Sequence, residues 1–245
     1  MKTEEFLNAL DALVAEKHLL KHPFYKLWSE GKLSRENIRE YAISYYPHVA
    51  AFPTYVSGVH SGCEDPALRL ELLENLVEEE GGPVNHPTLW RRFAAALGAR
   101  EDDLAITPRT PEVAAAIDEF RRATRQGSVA EGLAALYAYE SQIPEISRTK
   151  REGLASFYAI DDPEATRFFT VHEEADVWHR QVERDAIGRV AATPADQASA
   201  LAAASRCLDA LNRALDGVMR ENGLGKHRGL IPEGSDPGAV INARS

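Results

Sequence analysis

Apolar residues recur every three or four positions along nearly the whole chain, and no segment sustains the two-residue alternation of a half-buried strand. A chain patterned this way folds as packed helices. Phe6, Leu7, Leu10, Leu13 and Val14 mark a first helix of about four turns. HPFYKLWSEGKLS reads as a turn, with Ser34 as the N-cap of the long helix that follows. That helix runs through ENIREYAISYYPHVAAFPTYVSGVH, and Pro47 and Pro53 are expected to bend it. Leu68, Leu70, Leu72, Leu73, Leu76 and Val77 line the next helix, which stops or distorts at Gly81-Gly82-Pro83. Another begins near His86, and Thr110 with Pro111 opens one more through Ala123. Single helices are expected around 128–157, 163–190 and 193–222. No linker divides two cores, so 1–223 reads as one all-α domain of seven or eight helices. Residues 224–245 lose the periodicity, are rich in Gly and Pro, and read as a tail or lid.

At 245 residues the chain can bury a sizeable core. A formal charge of −10 argues against a nucleic-acid partner, because phosphates demand a basic face. No apolar run reaches membrane-spanning length and the first twenty residues lack a signal-peptide core, so a cytoplasmic protein without a membrane partner is expected. Cys63 and Cys207 lack metal-type spacing and read as small buried hydrophobes.

Polar residues stand out against this helical background. TVHEEADVWH contains His172, Asp176 and His179 at i, i+4 and i+7, which stack on one helix face and can converge on one point. By itself the pattern also suits the polar face of a surface helix. Phe168 and Phe169 on the same stretch favour a core-facing stripe. Glu140 follows the apolar EGLAALYAY, where a carboxylate is costly unless it is paired or binds a metal. Glu79, in a run of three glutamates, and His86 complete three carboxylates and three imidazoles, the inventory of a two-metal site. Oxygen and imidazole ligands suit iron or manganese, and helix bundles build such sites from inward side chains. The Glu-x-x-His pairs of ferritin-like proteins are absent, so another helical family is indicated.

HPFYKLW, YYPHVAAFPTYVSGVH, LLENLVEEEGGPVNHPTLW, YAYESQIPEISRTK and FFTVHEEADVWH, in this order over residues 5–222, resemble the heme-oxygenase-like di-metal oxidases. Within that group the resemblance is to the self-sacrificing para-aminobenzoate synthases. It implies a heme-oxygenase-like (TenA/PqqC-like) bundle, commonly a homodimer. It implies Glu79, His86, Glu140, His172, Asp176 and His179 as ligands of a di-iron or mixed Fe/Mn pair, with dioxygen as co-substrate and an external reductant. It further implies that Tyr25 supplies the aromatic ring and Lys150 the amino group, with Tyr41 and Tyr139 lining the same site. Residue character alone makes Tyr25 a turn aromatic packed on Trp28, and Lys150 a solvated cation. Four other readings are to be weighed. A thiamin-salvage hydrolase needs a pocket cysteine that neither Cys63 nor Cys207 supplies, and a cofactorless quinone-forming oxidase lacks the full ligand set. A di-metal oxygenase with an external substrate, or a protein-interaction module, would leave Tyr25 and Lys150 incidental.

Overall fold

The computed structural model describes residues 1–224, with the side chains of 174–179 excepted. Among the described residues there are ten α-helices and no strand: α1 (Thr3–Glu16), α2 (Pro23–Ser29), α3 (Arg35–Gly62), α4 (Pro66–Glu80), α5 (His86–Ala96), α6 (Pro111–Arg125), α7 (Val129–Glu140), α8 (Ile143–Tyr158), α9 (Pro163–Val190) and α10 (Pro194–Glu221). The expected 224–245 tail lies outside the described residues beyond Leu224. None of the described helices is long and apolar enough to cross a membrane.

Helix starts follow local chemistry. Ser34, Thr110, Ser128 and Thr193 each accept a hydrogen bond from a backbone N–H in the first turn, satisfying donors that a helix start leaves open. α3 runs 28 residues without a break, although Pro47 and Pro53 remove two of its N–H donors. It is the central element, packing on α4, α5, α6 and α7. α10 lies against α6 and α7, while α9 lies against α5, α7 and α8.

The helix count exceeds seven or eight for two reasons. HPFYKLW is not a turn but the helix α2. His22 caps it, its Nδ1 accepting from the Phe24 N–H at 3.2 Å, and Pro23 takes the first helical position. Histidine is an uncommon cap, so the start is concealed. The expected single helix over 128–157 is two helices, α7 and α8. Pro144 lacks the N–H that would bond the Glu140 carbonyl four residues back, so the ladder ends there. Gln142, buried at the joint, accepts from the Leu19 N–H at 2.8 Å and pins the junction to the segment before α2.

The leucines of α4 also divide differently. Leu68 and Leu72 are buried, but Leu70, Leu73 and Val77 are 57%, 43% and 59% exposed. Their spacing of three and four puts them on the outer face of a helix whose inner face carries Asn75 and Glu79. Cys63 and Cys207 are buried free thiols, as their lack of motif implied.

Candidate metal centre and tyrosine–lysine cluster

Three ligand candidates come together from three helices. Glu79 sits in the last turn of α4, His86 opens α5, and His172 lies in the third turn of α9. All three are buried, and each offers a ligand atom within 4.8 Å of the others. Gly81-Gly82-Pro83-Val84-Asn85 separates α4 from α5, so Glu79 and His86 do not share one helix. Gly82 takes φ +71°, a left-handed conformation that favours glycine and lets the chain turn from one ligand to the next. Asn85 then caps α5, its side chain accepting from the Thr88 N–H at 3.0 Å, which fixes His86 at the helix start.

Nδ1 of His86 lies 2.9 Å from Oε1 of Glu79. Nδ1 of His172 lies 2.6 Å from the Phe168 carbonyl. A carbonyl only accepts, so Nδ1 carries the proton there and Nε2 keeps the lone pair that a metal requires. The His86 and His172 rings stand 4.3 Å apart, and Phe168 packs 4.2 Å from His172. A buried carboxylate against two imidazoles, with no thiolate in the set, is the donor chemistry that iron and manganese accept. The described residues therefore fit a metal.

Glu140 ends α7 and is buried, but it is outside the 4.8 Å group. Its Oε1 accepts from Asn75 Nδ2 at 3.2 Å. Asn75 lies one turn before Glu79, so one face of α4 touches two candidate ligands. Asn75 had no sequence signal beyond its burial-compatible spacing. The side chains of Asp176 and His179 lie outside the described residues.

A second polar cluster adjoins the first. Lys150, on α8, is not a solvated cation: it is 5% exposed, and its Nζ hydrogen-bonds the Tyr41 hydroxyl at 2.7 Å. The Tyr41 hydroxyl lies 3.3 Å from that of Tyr25, which sits on α2 rather than in a turn. Nζ stands 5.4 Å from the Tyr25 ring centroid, 5.2 Å from Tyr41 and 5.4 Å from Trp90. Among the described residues no carboxylate is paired with Nζ, and burial pulls the Lys150 pKa down to about 7. Burial also raises the pKa values of Tyr25, Tyr41, Tyr45 and Tyr139, so all four stay neutral phenols. Tyr139 does not join Tyr25 directly; its hydroxyl is hydrogen-bonded to that of Tyr45, which stacks 5.4 Å from Tyr41.

Tyr45 and His48 were missed as site residues. The signal was present: Tyr41, Tyr45, His48, Phe52 and Tyr55 recur at four- and three-residue steps and form one inward stripe of α3. His48 is packed among Tyr45, Tyr55, Phe120 and Tyr139, and burial lowers its pKa to about 3, so it is neutral.

Two outcomes follow from this packing. A lysine whose folded pKa is about 7 binds fewer protons than its unfolded form up to the ordinary lysine value of 10.5. Stability therefore rises with pH from about 7 to 10.5, and the full burial cost is present below 7. Lys150→Met should flatten that rise and add on the order of a few kcal/mol at neutral pH, read by chemical denaturation across that range. Gly153, one turn beyond Lys150, abuts Trp28, and a Cβ there would lie 2.7 Å from Trp28 Nε1. Gly153→Ala should cost about 1–3 kcal/mol by forcing the indole aside, measured as a lowered thermal midpoint.

The helical bundle and this candidate donor set point to a class. The chain belongs to the family of iron-containing redox enzymes, whose sequence model matches residues 39–212. It is similar to the 4-aminobenzoate synthase of Nitrosomonas europaea, 44% identical over 227 residues that cover 89% of this chain and 92% of that protein. The 4-aminobenzoate synthase of Chlamydia trachomatis is 43% identical over 192 residues, covering 78% of this chain and 83% of that one. In three dimensions a TenA homologue of Pseudomonas syringae superposes with a TM-score of 0.75 at 21% identity, over 89% of this chain and 92% of that one. A CADD-like protein of Nostoc punctiforme superposes with a TM-score of 0.67 at 17% identity, over 90% and 98%. These likenesses establish the heme-oxygenase-like fold.

Proposed function

We propose that this protein is an oxygen-dependent di-metal oxidase that forms 4-aminobenzoate (para-aminobenzoate, a folate building block) from its own side chains. Tyr25 supplies the ring and Lys150 the nitrogen. The observation that carries this reading is a buried lysine amine, hydrogen-bonded to Tyr41 and held 5.4 Å from the ring of a buried tyrosine. The 4-aminobenzoate synthases at 43–44% identity support the product.

Glu79, His86, Glu140, His172, Asp176 and His179 would hold an Fe/Fe or Fe/Mn pair, which supplies dioxygen activation when bound. The remaining chemistry belongs to the chain. Tyr25 is a neutral phenol in an aromatic pocket, able to give up a hydrogen atom rather than a bare proton. Tyr41 hydrogen-bonds both Tyr25 and Lys150, so it fixes the amine relative to the ring and offers a path for the phenolic proton. Burial keeps a large fraction of Lys150 unprotonated near neutral pH, which leaves its lone pair nucleophilic. Conversion of the ring requires that the Tyr25 Cα–Cβ bond break and Cβ be oxidised to a carboxylate. The phenolic oxygen leaves as water as a C–N bond forms to Lys150 Nζ. The Lys150 Cε–Nζ bond then breaks by oxidation at Cε and hydrolysis, leaving an aldehyde on that side chain. Dioxygen accepts the electrons, and an external reductant returns the metals to their starting state. Each chain then works once.

The reading includes a homodimer. Leu70, Leu73 and Val77 on the outside of α4 support it, because exposed apolar faces of this kind are characteristic of association surfaces.

The test uses protein grown on ring-labelled tyrosine and supplied with Fe(II), with or without Mn(II), plus reductant and oxygen. Labelled 4-aminobenzoate, at or below one equivalent per chain and without added substrate, is expected by mass spectrometry. Oxygen consumption with metal bound and no labelled product would instead point to an external substrate.

A further inference from the structure

Asn75 ties a candidate ligand on α7 to the helix that carries another. It is buried on α4, four residues before Glu79, and its Nδ2 donates to Oε1 of Glu140 at 3.2 Å. Positions four apart share a helix face, so Asn75 and Glu79 look into the same interior. Packing does little to fix this approach. α4 packs on α3, α5 and α9. Where Leu72 and Asn75 of α4 face Leu133 of α7 and Glu183 of α9, a cavity of about 20 Å³ remains, room for about one water.

Glu140 needs a partner for two reasons. It is the last residue of α7, where the helix dipole disfavours an anion. It is also only 5% exposed, so bulk water does not solvate the carboxylate. The kind of partner matters as well. A lysine or arginine would offer the same hydrogen bond but repel a metal cation. An amide N–H satisfies one carboxylate oxygen without bringing a charge.

We infer that Asn75 is a positioning residue, holding the Glu140 carboxylate in the orientation from which it ligates a metal. The inference rests on the reading of Glu140 as a ligand. Glu79, His86 and His172 already lie within 4.8 Å of one another, whereas Glu140 lies outside that group. Loss of the amide therefore weakens the metal site that Glu140 completes and spares the other. Outer partners of this kind are worth about 10–100-fold in metal affinity.

Asn75→Leu keeps the number of side-chain atoms and removes the donor. Wild-type protein, Asn75→Leu, Glu140→Gln and the double variant are titrated anaerobically with Fe(II) against a colorimetric chelator. In Asn75→Leu the binding step that Glu140→Gln weakens should itself weaken about 10–100-fold, with the other step unchanged. The double variant should bind no more weakly than Glu140→Gln, because Asn75 acts through that carboxylate. A merely structural asparagine predicts a shifted thermal midpoint of the metal-free protein and unchanged binding by the folded chain. Unchanged binding in Asn75→Leu, or losses that add in the double variant, would overturn the positioning role. Unchanged binding in Glu140→Gln would remove the ligand assignment together with the role built on it. Should Asn75→Leu fail to fold, Asn75→Ala removes the same donor without a bulky replacement. The same single-step loss is expected there, and equal weakening of both steps would overturn the proposal. The expected titrations without any 4-aminobenzoate from the loaded wild type would sink the proposed product and leave the role of Asn75 standing.

Discussion

Tyr25→Phe should leave the metal content of the protein unchanged and abolish 4-aminobenzoate. The phenylalanine ring fills the same space in α2, and the hydroxyl it lacks makes, among the described residues, one hydrogen-bonding contact, with Tyr41. Losing one buried hydrogen bond costs about 1 kcal/mol, well within what a folded domain of this size tolerates. Glu79, His86 and His172 lie on other helices than Tyr25. The change is therefore confined to the chemistry: without the phenol there is no hydrogen atom to remove and no ring oxygen to exchange. Metal analysis and product mass spectrometry on the same sample check both halves. Full product from this variant would remove Tyr25 as the ring source while leaving the metal centre in place.

His172→Ala should act in the opposite order, with metal lost first and product lost as a consequence. The histidine is buried, its Nδ1 proton is committed to the Phe168 carbonyl, and its ring packs against both Phe168 and His86. Alanine there removes a ligand and leaves a cavity beside Phe168, at a cost of roughly 2–4 kcal/mol if the site cannot collapse. One of the two metals should fail to load and no 4-aminobenzoate should form. In wild-type protein, Fe(II) should raise the thermal midpoint by binding the folded chain in preference to the unfolded one, and that rise should shrink in the variant. An undiminished metal content would show that His172 is not a ligand.

The sequence carried much of this arrangement because helix signals are local. Ser34, Thr110 and Thr193 stand where caps belong, and the face of α9 bearing Phe168, Phe169 and His172 is buried as its spacing indicates. The proximity of Glu79, His86 and His172 rests on three helices and was legible only through residue chemistry. Features that depend on what faces a helix were hidden. Leu70, Leu73 and Val77 share composition with the buried Leu68 and Leu72, and periodicity does not say which face of α4 meets a neighbour. Trp90 belongs to the site because α5 and α3 cross there, a tertiary fact with no local mark, whereas Tyr45 was marked by the inward stripe of α3. The break between α7 and α8 was readable from Pro144, yet the surrounding apolar run obscured it.

The depth at which Tyr25 sits bears on the life of the molecule afterwards. Its ring is part of the core that includes Phe24, Trp28 and Tyr41. Excising it would open a void of the kind that costs buried-aromatic truncations about 3–5 kcal/mol. A chain that has delivered its product would be a damaged one, unfolding more often and presenting itself to cellular proteases. Supply of the vitamin precursor would then be metered by ribosomes rather than by catalytic turnover, and clearance of the spent polypeptide would need no separate signal.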